Sequence, residues 1–327
     1  MNAPYPWQTE HWQGLWQAHR GQRLAHALLL CGPDGLGVGD FARALAQGLL
    51  CTSPDAAGLA CKTCRSCVLF RAGSHPDLYA LGPEPPSRFI RIEQVRDVIG
   101  FAGLTSQASS KVMLIDPADV MNAHAANALL KTLEEPPRGS LFILVTDRPA
   151  ALPVTLRSRC QRSDFAPPTR AEALDWLCTQ GIDAARVEPL VALSGNRPLL
   201  ALERIENGYL DTRTTLIQDL EGLVQQRLDP LAIADRWAKL SPALVLPILA
   251  AAVRDRVVLS LAGSERIPGC AGSGAPATED VRGLLDTYAR IERARGVIDG
   301  GANVLPLNLY EELTITWGQP SAGDRRS

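Results

Sequence analysis

The sequence predicts an α/β chain that turns all-α: a parallel sheet wrapped by helices to about residue 167, then helices alone. Two observations carry this expectation. Short runs rich in Leu, Ile and Val alternate with helical patterns as far as "FAPPTR" (165–170), after which strand-like runs almost vanish. A Gly-rich turn, "CGPDGLGVGD" (31–40), directly follows the first apolar run, where a parallel strand would hand over to its covering helix.

The elements follow in order. "AHALLLCG" (25–32) reads as a buried strand entering the turn, and "DFARALAQGLLC" (40–51) as a helix. "DLYAL" (77–81), "KVMLID" (111–116) and "LFILVT" (141–146) are further strands. Between the last two, "ADVMNAHAANALLKTLEE" (118–135) is a helix stopped by Pro136 and Pro137. This rhythm implies a parallel sheet covered on both faces, with ligands at the carboxyl ends of its strands, where residues 32–39 would lie. Trp7, Trp12 and Trp16 recur at helical spacing and predict an N-terminal helix packed on the sheet. After residue 168, helical patterns cover 169–180, 184–194, 198–206, about 211–227 and, with breaks, 230–261. A Gly- and Pro-rich loop (262–280) and a last helical pair (280–299 and about 306–317) complete the chain before a polar tail. With 327 residues the chain exceeds one comfortable core, so two or three domains are expected; the resemblance drawn below divides the chain as 1–167, 168–208 and 209–327.

Composition bounds the function classes. Apolar residues at 46% and charged residues at 21% are ordinary for a globular protein. A net charge of −2 gives no overall attraction to nucleic acid, so any such contact is local or supplied by partners. No apolar run approaches the roughly 18 residues of a membrane span. The opening "MNAPYPWQTEHWQ" has neither a basic patch nor an apolar stretch of the kind that directs export. The expectation is a cytoplasmic protein with no membrane partner.

Four of the eight cysteines crowd into residues 51–67. Cys51, Cys61, Cys64 and Cys67 form C-x9-C-x2-C-x2-C, and four thiolates are the soft tetrahedral set that zinc takes in closed structural sites. Such a set leaves no open position for a catalytic water, so the zinc expected is structural. An iron–sulfur cluster is the alternative occupant, and four free cysteines the bland reading. His75 stands nearby, but four sulfurs already close the shell. Cys31, Cys160, Cys178 and Cys270 are isolated and read as inert thiols.

The Gly-rich turn nearly matches a phosphate-binding loop, which wants Gly, four residues, Gly, Lys and then Ser or Thr. Gly32, Gly35 and Gly37 can build the turn, but Val38 stands at the lysine position and Gly39 at the hydroxyl position. The cation for the β and γ charges and the magnesium ligand are both missing. "VMLIDPAD" (112–119) is similar to the acidic strand end of such ATPases, yet Pro117 follows Asp116 where a glutamate would polarise the attacking water. The bland reading is a Gly-rich turn plus an Asp116 that caps the following helix.

"ANALLKTLEEPPRGSLFILVT" (126–146) followed by "TLRSRCQRSDF" (155–165) closely resembles the clamp-loader members of the AAA+ ATPases, whose signature is the triplet Ser158-Arg159-Cys160. The four-cysteine insert narrows the resemblance to the bacterial DNA polymerase III loaders, and "YPW" (5–7), "AGSHPD" (72–77) and "LEEPP" (133–137) are similar too. The resemblance implies an AAA+ α/β domain with a zinc insert, a small helical lid and a C-terminal helical collar. It further implies a heteropentameric ring with ATPase subunits and a delta subunit, acting on a sliding clamp and primed DNA. Within that ring Arg159 would be an arginine finger acting in trans on ATP held by the neighbouring subunit. With its own loop degenerate, this chain would bind no ATP; the alternative is an active AAA+ ATPase with an atypical phosphate loop. A zinc-dependent nucleic-acid module is a further rival, although Lys62 and Arg65 against Asp55 make a weakly basic insert.

The same resemblance marks Thr146 as a γ-phosphate sensor position, and Pro198, beside Arg197, as the position of a second, arginine sensor. Arg157 and Arg162 read as assistants to Arg159 or as surface charges. Lys111, Lys131, Arg138 and Arg148 could contribute to a DNA-facing surface, and otherwise read as solvated charges. The apolar face with Leu244, Leu246, Ile248 and Leu249 is expected to serve oligomerisation.

Overall fold

A computed structural model describes residues 4–84, 87–104, 110–262, 281–299 and 306–318. It divides into two compact units, Met1–Leu202 and Glu203–Ser327. Unit 1 opens with a short 3-10 turn, Pro6–Gln8, followed by α1 (Thr9–Arg20), β1 (Ala27–Cys31), α2 (Val38–Leu50) and α3 (Arg65–Arg71). Next come β2 (Leu78–Leu81), α4 (Ile92–Ala102), β3 (Lys111–Ile115), α5 (Ala123–Glu134) and β4 (Ser140–Thr146). Then follow α6 (Val154–Arg157), β5 (Gln161–Asp164), α7 (Arg170–Thr179), α8 (Ala184–Leu193) and α9 (Pro198–Glu206), the last running across the division.

The five strands pair in the order β2-β3-β4-β1-β5, every pair parallel. Successive strand residues face opposite sides, and the core splits accordingly. Leu28, Leu30, Val112, Leu114, Ile143 and Val145 pack with Trp12, Trp16, Phe41 and Leu45 of α1 and α2 on one face. Leu29, Met113, Ile115, Phe142 and Leu144 pack with Val95, Val98, Leu129 and Leu133 of α4 and α5 on the other. Both faces are covered, so β1, β3 and β4 are buried at every position instead of alternating between buried and exposed residues.

Several local outcomes differ from the sequence reading. The run 118–135 is broken: a 3-10 turn, Ala118–Val120, precedes α5, because Met121 and Asn122 are extended and the Asn122 side chain accepts the Ala125 N–H at 2.8 Å. β5 (QRSD) is a polar edge strand recognisable only through its pairing with β1. Trp7 lies in the 3-10 turn and not on the face of α1 that carries Trp12 and Trp16.

Unit 2 holds α10 (Tyr209–Val224), α11 (Pro230–Trp237), α12 (Pro242–Ala262), α13 (Val281–Asp299) and α14 (Pro306–Gly318). Its core includes Leu220, Trp237, Val245 and Tyr310, with the Asp219 carboxylate accepting the Trp237 indole N–H at 2.9 Å. Leu246, Ile248 and Leu249 are buried in that core, so they are not the oligomerising surface that their apolar spacing suggested. No helix among the described residues is long and apolar enough to cross a membrane. Loop 262–280, with Cys270, lies outside the described residues apart from Ala262.

Candidate functional site

The Gly-rich turn sits at the carboxyl end of β1 and runs into α2. Gly35 and Gly37 adopt φ of +83° and +73°, a left-handed backbone that glycine reaches without a Cβ penalty, so the tight turn depends on these two glycines. Its surroundings do not leave it open. A Cβ at Gly35 would stand 2.5 Å from Leu200 Cβ and one at Gly37 2.9 Å from Leu199 Cδ1, both at the start of α9. The Tyr5 ring presses on Gly37 from the N-terminal segment. That segment is tied to the loop by Trp7 Nε1 and Gln8 Nε2, which donate to the Leu36 carbonyl at 3.0 and 2.9 Å. Trp7 stacks on Tyr5 with centroids 5.0 Å apart, and Trp176 of α7 meets both rings edge-on. The turn is therefore clasped by side chains of its own unit.

The remaining candidate positions are occupied by local bonds. Asp116 does not cap the helical turn after it; no side chain caps that turn. Instead its Oδ2 comes within 2.5 Å of where a Gly39 Cβ would be, beside the start of α2. Burial pushes its carboxyl above the ordinary range, aided by Asp40 and Asp119 and opposed by Arg43. Thr146 donates to Asp119 Oδ1 at 2.9 Å and accepts the Arg148 N–H at 3.0 Å, which engages the hydroxyl of the expected sensor. Arg148, solvated as expected with 65% of its side chain exposed, closes this group by donating 2.6 Å to the other Asp119 oxygen. Leu199 N–H donates to the Gly35 carbonyl at 3.1 Å, and Arg197 Nε and Nη1 donate to the carbonyls of Ser194 and Asp34 at 2.8 and 3.2 Å. Arg197, one of the two residues considered for the second sensor, and Leu199 thus hold the start of α9 against the loop.

Ser158, Arg159 and Cys160 follow α6 immediately. Ser158 Oγ donates to the Thr155 carbonyl at 3.1 Å. Arg159 donates through Nη1 to the same carbonyl at 2.7 Å and through Nη2 to Glu134, a partner that the spacing did not disclose. Cys160 is largely buried, which pushes its thiol up to about 11 and leaves it an inert packing group. Arg162 pairs with Asp164 at 2.7 Å.

The four clustered cysteines converge between α2 and α3. Their sulfurs all lie within 4.8 Å of one another, with Cys51–Cys61, Cys51–Cys64 and Cys61–Cys67 separations of 3.5, 3.9 and 4.0 Å. Tetrahedral ligands at a metal–sulfur distance of about 2.3 Å stand about 3.8 Å apart, so the donor set fits a metal ion. Backbone N–H groups of Ser53 and Cys61 point at Cys51 Sγ, that of Cys64 at Cys61 Sγ and that of Cys67 at Cys64 Sγ, each at 3.4 Å, which favours thiolate. A hydrogen bond from Thr52, then that from the Cys67 backbone, holds Cys64 down to about 5, whereas burial drives Cys67 up to about 12. His75 is excluded as a ligand. Its Nδ1 accepts the Asp77 N–H at 3.1 Å and its Nε2 meets Ser66 Oγ at 2.8 Å, while Ser66 donates to the Leu50 carbonyl. The imidazole braces the module against the sheet.

A family model described as DNA polymerase III, delta subunit matches residues 7–169. The DNA polymerase III subunit delta' of Pseudomonas aeruginosa is 40% identical over 237 residues, 71% of either chain. That of Haemophilus influenzae is 33% identical over 241 residues, 73% of this chain and 72% of the relative. That of Escherichia coli is 36% identical over 220 residues, 66% and 65%. This chain belongs to the family of DNA polymerase III delta' subunits.

Proposed function

We propose that this chain is a non-catalytic AAA+ subunit of a bacterial clamp loader, which supplies Arg159 in trans to a neighbouring ATPase subunit. The observation that carries this reading is the contrast between two places in unit 1. The phosphate loop has Val38 and Gly39 where its working groups belong and is clasped by Tyr5, Leu199 and Leu200. The Ser158-Arg159-Cys160 triplet, by contrast, is intact, with about a third of the Arg159 side chain, 32%, still exposed. A guanidinium there is a permanent planar cation, suited to stabilise charge that develops on a transferred phosphoryl group. ATPase subunits and a delta subunit would complete the heteropentameric ring, and the assembly would open a sliding clamp and place it on primed DNA. Cys51, Cys61, Cys64 and Cys67 would hold a structural zinc ion, and the protein would act in the cytoplasm.

Two measurements test the reading. A fluorescent ATP analogue with magnesium, titrated into the isolated chain, should show no saturable binding up to millimolar concentration. In the assembled loader, Arg159→Ala should slow ATP hydrolysis at the neighbouring site by about 10³-fold or more, as loss of an arginine finger does elsewhere. Tight binding and turnover by the isolated chain, lost on changing Gly37, would instead favour a working ATPase with an atypical loop.

A further inference from the structure

Arg159 is anchored at two points by its own chain. One Nη2–H donates to Oε1 of Glu134, the last residue of α5, and one Nη1–H donates to the Thr155 carbonyl in α6 at 2.7 Å. The anchors belong to different elements, so the guanidinium is fixed across the α5–α6 junction. The base of the Glu134 anchor is itself rigid. Leu133 is buried under the sheet, and its carbonyl is within 2.9 Å of His26 Nε2 beside the start of β1.

We infer that Glu134 is a positioning residue for Arg159, an assignment that rests on the arginine-finger reading. A guanidinium has five N–H donors, and these two anchors use two of them, leaving three for an incoming phosphate. A free arginine loses rotamer freedom when it binds; one already held loses less, and its charge stands ready where it is needed. Glu134 is 49% exposed, so water screens much of its negative charge and the finger keeps a positive field toward the partner site. The same exposure means that the ion pair contributes little to folding, which separates the positioning role from a structural one.

The test is steady-state ATP hydrolysis by the assembled loader carrying Glu134→Ala, Glu134→Gln, Arg159→Ala or the Ala/Ala double variant. Glu134→Ala should lower kcat by about tenfold to a hundredfold, the scale of a small misplacement, with KM for ATP and the melting temperature of the chain unchanged. Glu134→Gln, which retains the accepting oxygen, should recover most of the rate. The double variant should be no slower than Arg159→Ala alone, because the two residues act as one unit. Slow Arg159→Ala beside an unchanged or faster Glu134→Ala overturns the positioning role; a faster variant would make Glu134 a competitor of the phosphate. A raised KM with kcat unchanged overturns it too. If Arg159→Ala itself leaves the rate unchanged, the arginine-finger reading falls, and this assignment falls with it.

Discussion

The ammonium of Lys111 lies 3.3 Å from the carboxylate of Asp77, with 5% and 1% of the two side chains exposed. Lys111 begins β3 and was expected to be a solvated charge, but α4 covers it, and its Nζ sits 4.1 Å from the Phe101 ring centroid. Asp77 precedes β2, so the pair links the two neighbouring strands at their amino ends. A buried ion pair is costly to form and costlier to break on one side, because the surviving buried charge loses its ionic partner. Lys111→Met should therefore destabilise the protein by about 3–5 kcal/mol in chemical denaturation. A loss below about 1 kcal/mol would mean that water reaches the pair as it does a surface bridge.

Tyr5 donates its phenol proton to Asp40 Oδ2 at 2.9 Å, joining the N-terminal segment to the first turn of α2. Burial first, then this hydrogen bond and the charge of Asp40, push the phenol up to about 12 from its ordinary 10. The folded chain therefore holds this proton after the unfolded chain has lost it. Stability from Tyr5 is complete below pH 10 and drains away as pH rises from 10 to 12. Tyr5→Phe should flatten that alkaline decline in urea unfolding and cost about 1 kcal/mol at neutral pH, where only the hydrogen bond is lost. Tyr79 and Tyr310 are also raised by burial, so some decline persists in the variant. An identical slope in both proteins would show that the phenol is open to solvent.

Asp116 carries the opposite expectation for a polar deletion. Its carboxyl is raised mainly by burial, so its favourable contribution exists below the ordinary 3.8 and is lost as pH rises through the folded value. At neutral pH the ionised group costs stability. Asp116→Asn keeps the shape and removes the charge, and should raise the melting temperature at pH 7 while changing it little at pH 3.5. A less stable variant at pH 7 would show that attraction to Arg43 outweighs the desolvation of the carboxylate.

What was legible in the sequence follows from the range of the forces involved. β1, β3 and β4 announce themselves because burial on both faces leaves unbroken Leu, Ile and Val runs. β5 does not, because an edge strand of Gln161, Arg162, Ser163 and Asp164 has no apolar face to betray it. α4 passed unread, although Ile92, Val95, Val98 and Ile99 recur at helical spacing; its N-cap is Arg91 and not a Ser, Thr, Asp or Asn, and only the Gln94 side chain closes back on the Arg91 N–H. The four cysteines were legible because a single ion imposes its geometry on a short stretch of chain. The clasp on the phosphate loop was not, since Tyr5 and Leu199 reach Gly37 from opposite ends of the unit and leave no local pattern. Glu134 beside Arg159 and Asp119 beside Thr146 were hidden for the same reason.

The cysteine module lends itself to a last measurement, because tryptophan reports on its seating. Gly58 adopts φ of +88° and lies directly on the Trp16 ring, and Trp12 Nε1 donates 2.7 Å to the Ala57 carbonyl. The loop between Cys51 and Cys61 is thus packed onto α1, which in turn covers one face of the sheet. Four thiolates brought this close repel one another unless a cation sits among them, so a bound ion should hold the loop as well as the sulfurs. The purified chain should carry one zinc per molecule and show no visible absorption, since d10 zinc has none. Cys64→Ser, or prolonged chelation, should release the metal, shift tryptophan emission to the red and open residues 51–71 to hydrogen exchange before the sheet. A coloured protein containing iron would assign the site to a cluster instead, and a metal-free chain with unaltered emission would make the four thiols self-supporting. If the emission shift appears while β1 and β4 stay protected, the metal is a brace for the α1 face and not a condition for forming the sheet.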